Sequence, residues 1–435
     1  MFKRFTSGSG NLLSTQQILS LYLPSMVLAL GSSMIAPIIP GFAKSFDVEL
    51  TTAALVFVAF NLGGLAITFP SGYLIDKIGR RPILLAGPLI EAVASLATPF
   101  SPSFSILLIC RFVSGAANQM WQQSRLAMIA DTTASNERAR QVQWMMGVAR
   151  GGQLFGPAIG GILAANFGLW VPFVAYGILE LVIVFPSFRL IKESRPDSSS
   201  QARSAAAAGT QVGWRGVFAY LFTFHMMVFM IVQFSGQMAR GGQDHGALSL
   251  YAVYAFDLGP QELGFLNTAA TIVSLPVPFI TGYLMDRFGR RAVIVPGWTS
   301  YAIAVGVMAM TSFLPMGYTF FLFAYLLVQA TGSTTGGSMQ VMGTDLAPAF
   351  ARGRFFSIWR MISQLGATVS PAVFAFIAAQ SSYGAGFLYL GACSLLVSVL
   401  VAAVLGNTLA RADAGDRKNA EPGTVPEAAK AEEKK

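Results

Sequence analysis

Charge is what this chain has least of. Asp, Glu, Lys and Arg make up 11% of its 435 residues, against about 25% in a soluble domain. That scarcity excludes a water-exposed globule, because most of the chain must lie in a medium that penalises charge. Cysteine is rare too, two residues in all. Cys110 and Cys393 fall in separate apolar runs and define neither a disulfide framework nor a metal site. No nucleophile triad or metal cluster supports an enzyme. No Gly-x-x-x-x-Gly-Lys-Ser/Thr stretch occurs, which argues against ATP as the power source. No cleavable signal peptide is expected: Lys3 and Arg4 lead into a long apolar segment without a convincing cleavage site.

What is there is apolar sequence in long runs, 54% hydrophobic residues over the whole chain. With no water in a bilayer core, a spanning segment must be a helix or part of a closed barrel. The runs are about 20 residues or longer, which is helix length rather than strand length. Twelve spans follow, an all-α membrane protein: residues 17–43, 52–75, 82–99, 104–130, 140–165 and 170–190, then 226–256, 262–285, 292–313, 318–342, 355–379 and 386–405. Between the two sets, 192–213 is polar with Ser and Ala repeats and reads as a flexible cytoplasmic linker. The expected organisation is a six-helix bundle over 1–191, the linker, a second six-helix bundle over 214–410, and a charged, disordered cytoplasmic tail over 411–435.

The two bundles are copies. Gly72-Tyr73-Leu74-Ile75-Asp76-Lys77-Ile78-Gly79-Arg80-Arg81 recurs 210 residues later as Gly282-Tyr283-Leu284-Met285-Asp286-Arg287-Phe288-Gly289-Arg290-Arg291. The flanks keep the offset, with Phe46-Asp47-Val48 falling on Phe256-Asp257-Leu258. Basic residues fix the orientation. All but six of the 29 Lys and Arg residues fall on the side holding the N-terminus, the even-to-odd loops, the linker and the tail. The positive-inside rule makes that side cytoplasmic, in a cell membrane with both termini inside. The net charge of +9 is thereby accounted for without nucleic acid.

The duplicated Gly-x-Leu-x-Asp-x-x-Gly-Arg-Arg stretch resembles the loop signature of the major facilitator superfamily of secondary transporters. The resemblance covers essentially the whole chain. It implies two pseudo-symmetric six-helix bundles and a gating role for Gly72, Asp76, Gly79, Arg80 and Arg81 and for Gly282, Asp286, Gly289, Arg290 and Arg291. In physical terms the first Gly allows close helix approach, the Asp accepts from helix-terminal or Arg donors, and the Arg pair binds carboxylates and lipid phosphates. Arg111-Phe112-Val113-Ser114-Gly115 in span four is similar to the family's Arg-x-x-x-Gly element. Gly152, Gly156, Pro157, Gly160 and Gly161 in span five match Gly-x-x-x-Gly-Pro-x-x-Gly-Gly, which within the family is typical of drug:proton antiporters. Such small residues let helices pack tightly and bend.

Family resemblance places spans one, two, four, five, seven, eight, ten and eleven around a central cavity. Ionisable residues there are functional candidates: Arg111, Arg125, Arg150, Arg240 and Arg360. The sixth basic residue off the cytoplasmic side is Lys44. Subtracting the 210-residue offset puts Arg240, Asp244 and His245 on Leu30, Met34 and Ile35, mid-span positions. Span seven is therefore expected to be long and broken at Gly241-Gly242, a binding-site device of transporters, although hydropathy alone makes this stretch an external loop. Asp244 with His245 is the candidate proton carrier. Glu91 and Glu180 are mid-helix but on peripheral spans three and six, where burial as a lipid-side neutral acid or as a pairing partner stands beside coupling as a reading. Gln119 and Gln122 on span four and Tyr251 on span seven complete the candidate substrate-binding or coupling set.

The sequence thus points to a secondary active transporter working by alternating access, a proton-coupled exporter of drug-like or amphipathic compounds. A cationic cavity would instead suit organic anions or phosphate esters, and a lipid flippase of the same fold is a further alternative. No metal or cofactor is expected, only a proton gradient. The expected partners are a small-molecule substrate and the lipid bilayer, with no nucleic acid, and the protein is expected to be a monomer.

Overall fold

The computed structural model describes residues 22–132, 135–190, 219–242, 246–346 and 352–405. The 192–213 linker, the 411–435 tail and residues 17–21 of the first span lie outside the described residues, as do Gln243, Asp244 and His245. The described residues are helical without strands, and twelve spans can be followed. Span 1 is Leu23–Ile35 with Ile39–Lys44, span 2 Leu50–Ile78, span 3 Arg80–Ala97, span 4 Phe104–Thr132, span 5 Ser135–Phe167 and span 6 Val171–Leu190. Span 7 is Phe224–Ala239 with Ala247–Ala255, span 8 Pro260–Ser274 with Val277–Phe288, span 9 Arg290–Phe313, span 10 Tyr318–Leu346, span 11 Arg352–Gln380 and span 12 Tyr383–Leu400. Six described helices are long and apolar enough to cross a bilayer. Bare outward faces carrying Phe69, Phe185, Phe279 and Val399 need lipid rather than water against them.

The duplicated stretch is tighter than a loop. Span 2 ends at Gly79, whose φ of 118° lets its N–H turn back to Ile75 O at 3.1 Å, and Arg80 already opens span 3. In the second copy Gly289 has a φ of 89° and donates to Met285 O at 2.9 Å. A single glycine in the positive-φ region thus separates two helices, and a side chain there would be strained. At the other end of each first span the twins Asp47 and Asp257 take positive φ, 55° and 51°, a conformation that aspartate tolerates better than bulkier residues.

Spans 1, 7 and 8 are interrupted where the chain lacks helical donors or carries glycine. Pro37 lies in the break of span 1 with Pro40 in the turn that follows it, and Pro276 lies in the break of span 8 with Pro278 just after it. In span 7 the α-helix stops at Ala239, a 3-10 turn covers Arg240–Gly242, and helix resumes at Ala247 after Gly246 at φ 85°.

By packing, the chain falls into two compact units that do not follow the sequence halves. The first holds residues 1–209, 244–272 and 367–381, so spans 1 to 6 take up the second piece of span 7 and the first piece of span 8. The second holds 210–243, 273–366 and 382–435.

Candidate functional site

Within the first unit, the Arg111-to-Gly115 element binds span 4 to span 2. The Arg111 guanidinium lies 4.8 Å from the Phe60 ring centroid. A Cβ on Gly115 would collide with Phe60 O, and one on Gly63 with Phe112 O. The spacing therefore does two jobs, a close backbone crossing and a buried cation stacked on an aromatic ring.

The span-5 glycines make the same kind of crossing onto span 1. Cβ atoms on Gly152, Gly156 and Gly160 would run into backbone at Met26, Leu30 and Met34. One residue further on, the face changes. Gly161 would strike Pro260 O at 2.5 Å, and Gly264 of span 8 would meet Pro157 O. Ala158 N–H, the donor next to Pro157, reaches Thr268 Oγ1 of span 8 at 3.0 Å. The Gly-Pro-x-x-Gly-Gly element is thus a hub between spans 1, 5 and 8.

At the end of the first unit opposite the Gly79 turn, the repeat produces a reciprocal clasp. Lys44 Nζ donates to Asp257 Oδ1 at 2.6 Å and to Val253 O at 3.3 Å. Its sequence twin, Tyr254, donates back through its hydroxyl to Val48 O at 3.0 Å. The Lys44 ammonium also sits 5.6 Å from the Tyr254 ring centroid. The Lys44 hydrogen bond, and then its charge, hold the Asp257 carboxyl below its ordinary range.

The other site candidates are dispersed. Arg125, buried, donates to Ser25 Oγ at 3.0 Å and to Gln122, and lies over Trp121. Gln122 is thereby committed to an arginine, and Gln119 is half-buried one turn earlier. Arg150 and Arg360 are exposed. Tyr251 is buried edge-to-face with Phe256. In the second unit, Arg240 donates to Thr335 Oγ1 at 3.2 Å. A Cβ at Gly336 would come within 2.5 Å of its guanidinium, so the glycine makes room for the arginine. Tyr301 donates to Ala239 O at 3.1 Å, pinning the same break. Asp244 and His245, the expected proton carrier, fall outside the described residues.

One expectation is corrected, and two others gain detail. The first glycine of each duplicated stretch permits no close helix approach here: a Cβ on Gly72 or Gly282 meets nothing within 4 Å among the described residues. Among the described residues, three of the four motif arginines reach backbone carbonyls within their own unit. Arg80 reaches Ile75 O at 3.4 Å, Arg81 reaches Phe188 O at 2.6 Å, and Arg291 reaches Ala402 O at 3.1 Å; Arg290 is half-buried, Asp286 is exposed, and the Asp76 side chain lies outside the description. For Glu91 and Glu180 the pairing alternative holds and the lipid-side one does not: they are 4% and 0% exposed and neighbour one another. Spacing alone could not reveal this, because the two acids are 89 residues apart on different spans.

A family model described as Major Facilitator Superfamily matches residues 21–256 and 245–432. "Quinolone resistance protein NorA" of Staphylococcus aureus (strain MRSA252) is 23% identical over 274 residues, 63% of this chain and 67% of that protein. "Multidrug resistance protein 2" of Bacillus subtilis (strain 168) is 24% identical over 276 residues, 62% of this chain and 66% of that protein. In other NorA sequences of S. aureus the match spans 47% of their length, so the chain is aligned with about half to two thirds of these relatives. Among solved structures, the inward open xylose transporter XylE from E. coli superimposes with a TM-score of 0.71 at 14% identity, over 89% of this chain and 96% of that one. A bacterial homologue of the iron transporter ferroportin, inward-facing, gives 0.68 at 17% identity over 89% and 98%. At these identities the structures show the fold.

Proposed function

The chain belongs to the major facilitator superfamily, and from that premise we propose that it exports drug-like or amphipathic compounds in exchange for protons by alternating access. It is a multi-pass membrane transporter and not an enzyme. The observation that carries the proposal is the span-5 element. Gly152, Gly156 and Gly160 pack on span 1 while Gly161 packs on Gly264 of span 8. One small-residue ridge therefore couples the two copies of the repeat, and packing of this kind can shear as a bundle rocks. The NorA and multidrug-resistance relatives support the substrate class. The basic-residue bias supports a cell-membrane orientation with both termini cytoplasmic.

The organic-anion alternative needs free guanidinium groups in a cavity. Arg111 lies instead beside Glu91, which spends its charge on a carboxyl. The two readings separate in proteoliposomes carrying the purified protein and an imposed pH gradient. Gradient-driven movement of a lipophilic cation, undiminished in Arg240→Ala, is the expected result. Movement of organic anions instead, abolished in Arg240→Ala, would overturn it.

A further inference from the structure

A buried cluster in the first unit holds one more acid than base. Glu91 of span 3, Arg111 of span 4, and Tyr176 and Glu180 of span 6 are 4%, 9%, 2% and 0% exposed. Glu91 neighbours Arg111, Asn118, Tyr176 and Glu180, and Tyr176 lies against both acids. Among the described residues, neither Glu180 oxygen, the Tyr176 hydroxyl nor Arg111 Nε makes a well-formed hydrogen bond. The cluster forms because small residues bring the helices together. A Cβ on Gly177 would lie 3.1 Å from Ala92 O, and one on Gly31 would overlap the Tyr176 ring.

Among the described residues, Arg111 is the one cation that acts on the two acids, and Arg125 of span 4 is engaged with Ser25 and Gln122. Leu23–Ile35 of span 1 carries no titratable group, nor does the 3-10 turn Thr98–Phe100. Span 4 brings Arg111 and the Cys110 thiol, span 2 has Tyr73 and Lys77 exposed, and Arg150 of span 5 is exposed. Two ionised carboxylates against one guanidinium would leave an uncompensated negative charge in an interior sealed from water. Neighbouring carboxyls in such a place cannot both ionise. One proton shared between the two acids makes the cluster neutral.

We propose that Glu91 and Glu180 together hold one exchangeable proton, with Arg111 as the fixed counter-charge, and that this pair between spans 3, 4 and 6 is a proton-binding site of the transport cycle. Loading takes a proton from water onto a carboxylate and forms a carboxylic O–H bond. Unloading breaks that bond and returns the proton to water, leaving Arg111 to face a dicarboxylate. The unfavourable charge of that unloaded state ties protonation to how spans 3 and 6 pack. The role assigned here rests on the proton-coupled reading above.

The test separates the two. In proteoliposomes, wild-type protein is expected to accumulate ethidium under an imposed pH gradient; failure of that arm sinks the proton-coupled reading. Glu91→Gln, Glu180→Gln and the double variant are then expected to lose the gradient response at least tenfold while keeping ethidium counterflow without a gradient. Gradient-driven rates within twofold of wild type in all three would overturn the site and leave the transport reading standing. Infrared spectroscopy of the wild-type protein covers the case in which a variant fails to fold. A protonated-carboxyl carbonyl band near neutral pH, responsive to bulk pH, is expected, and its absence overturns the proposal without any mutant.

Discussion

Arg81 donates to the carbonyl of Phe188 at 2.6 Å and stacks over the same residue's ring at 5.2 Å. The second arginine of the first duplicated stretch thus caps the end of the sixth span of its own bundle. Arg291 donates likewise to Ala402 O at 3.1 Å, in the π-helical turn Val401–Leu405 that continues span 12. A cation at a helix C-terminus satisfies an orphan carbonyl and complements the helix dipole. The pairing makes these arginines staples of each bundle, whatever they also do in a gate. Arg81→Ala should therefore cost about 1 kcal/mol of stability. Thermal unfolding in detergent is expected to show a lowered midpoint for Arg81→Ala and Arg291→Ala, with Arg81→Lys intermediate because lysine keeps the charge but loses the planar stack on Phe188. Unchanged midpoints would mean that the staple is decorative.

The glycines of the two signature elements should behave in opposite ways. A Cβ at Gly156 would overlap Ser33 Oγ and sit 2.5 Å from Leu30 O, and backbone cannot swing aside as a side chain can. Gly156→Ala should then destabilise the protein by about 1–3 kcal/mol, the usual range for overpacking. At Gly72 and Gly282 the added methyl meets nothing, so Gly72→Ala should fold with a wild-type melting midpoint. If Gly72→Ala nevertheless abolishes transport, the close approach belongs to another state of the cycle. Paired melting and transport assays on the two variants read this directly.

The helical plan was legible in the sequence for a physical reason. Apolar length marks a span, and a gapless 210-residue repeat transfers the register of one half onto the other. That register also located the interruption of span 7 near Arg240, which hydropathy treats as a loop. It did not reveal the Glu91–Glu180 pair. Each acid lies alone in an apolar run of a peripheral helix, and only the approach at Gly177 and Ala92 brings them together. The arginine staples were hidden for a different reason: a backbone carbonyl acceptor carries no sequence signal at all. The clasp was half visible. Lys44 and Asp257 are readable as charges, but that the twin of Lys44 is Tyr254, returning the contact to Val48, needs both register and coordinates.

The break in span 7 gives a prediction about geometry rather than charge. Gly336 leaves room for the Arg240 guanidinium, which bonds to Thr335. An alanine there would displace a flexible side chain, not backbone. Gly336→Ala should fold normally and, like Thr335→Val and Arg240→Ala, move a lipophilic cation at close to the wild-type rate, since transport on this reading does not need the arginine in that place. A Gly336→Ala protein that folds but loses cation transport would show that Arg240 is held there for function.

The Lys44–Asp257 clasp has a pH dependence whose sign can be worked out. The clasp lowers the Asp257 carboxyl, so it favours the ionised form. Its contribution is therefore fully present above the unclasped aspartate value of about 4 and fades as pH falls through the lower, clasped value. From pH about 5 to 8 it should not change, a range that covers working conditions for proton-driven transport. Asp257 is largely exposed, 89% by side chain, so the pair contributes modestly: Asp257→Asn should raise the labelling rate of a cysteine placed at Val48 by less than about fivefold. Swapping the charges, Lys44→Asp with Asp257→Lys, should restore slow labelling, whereas Tyr254→Phe should add to the effect of Asp257→Asn because it removes the return bond. A labelling rate that changes steeply between pH about 6 and 7 would place the titrating group elsewhere, with the buried Glu91–Glu180 pair the first to examine by repeating the measurement in Glu180→Gln.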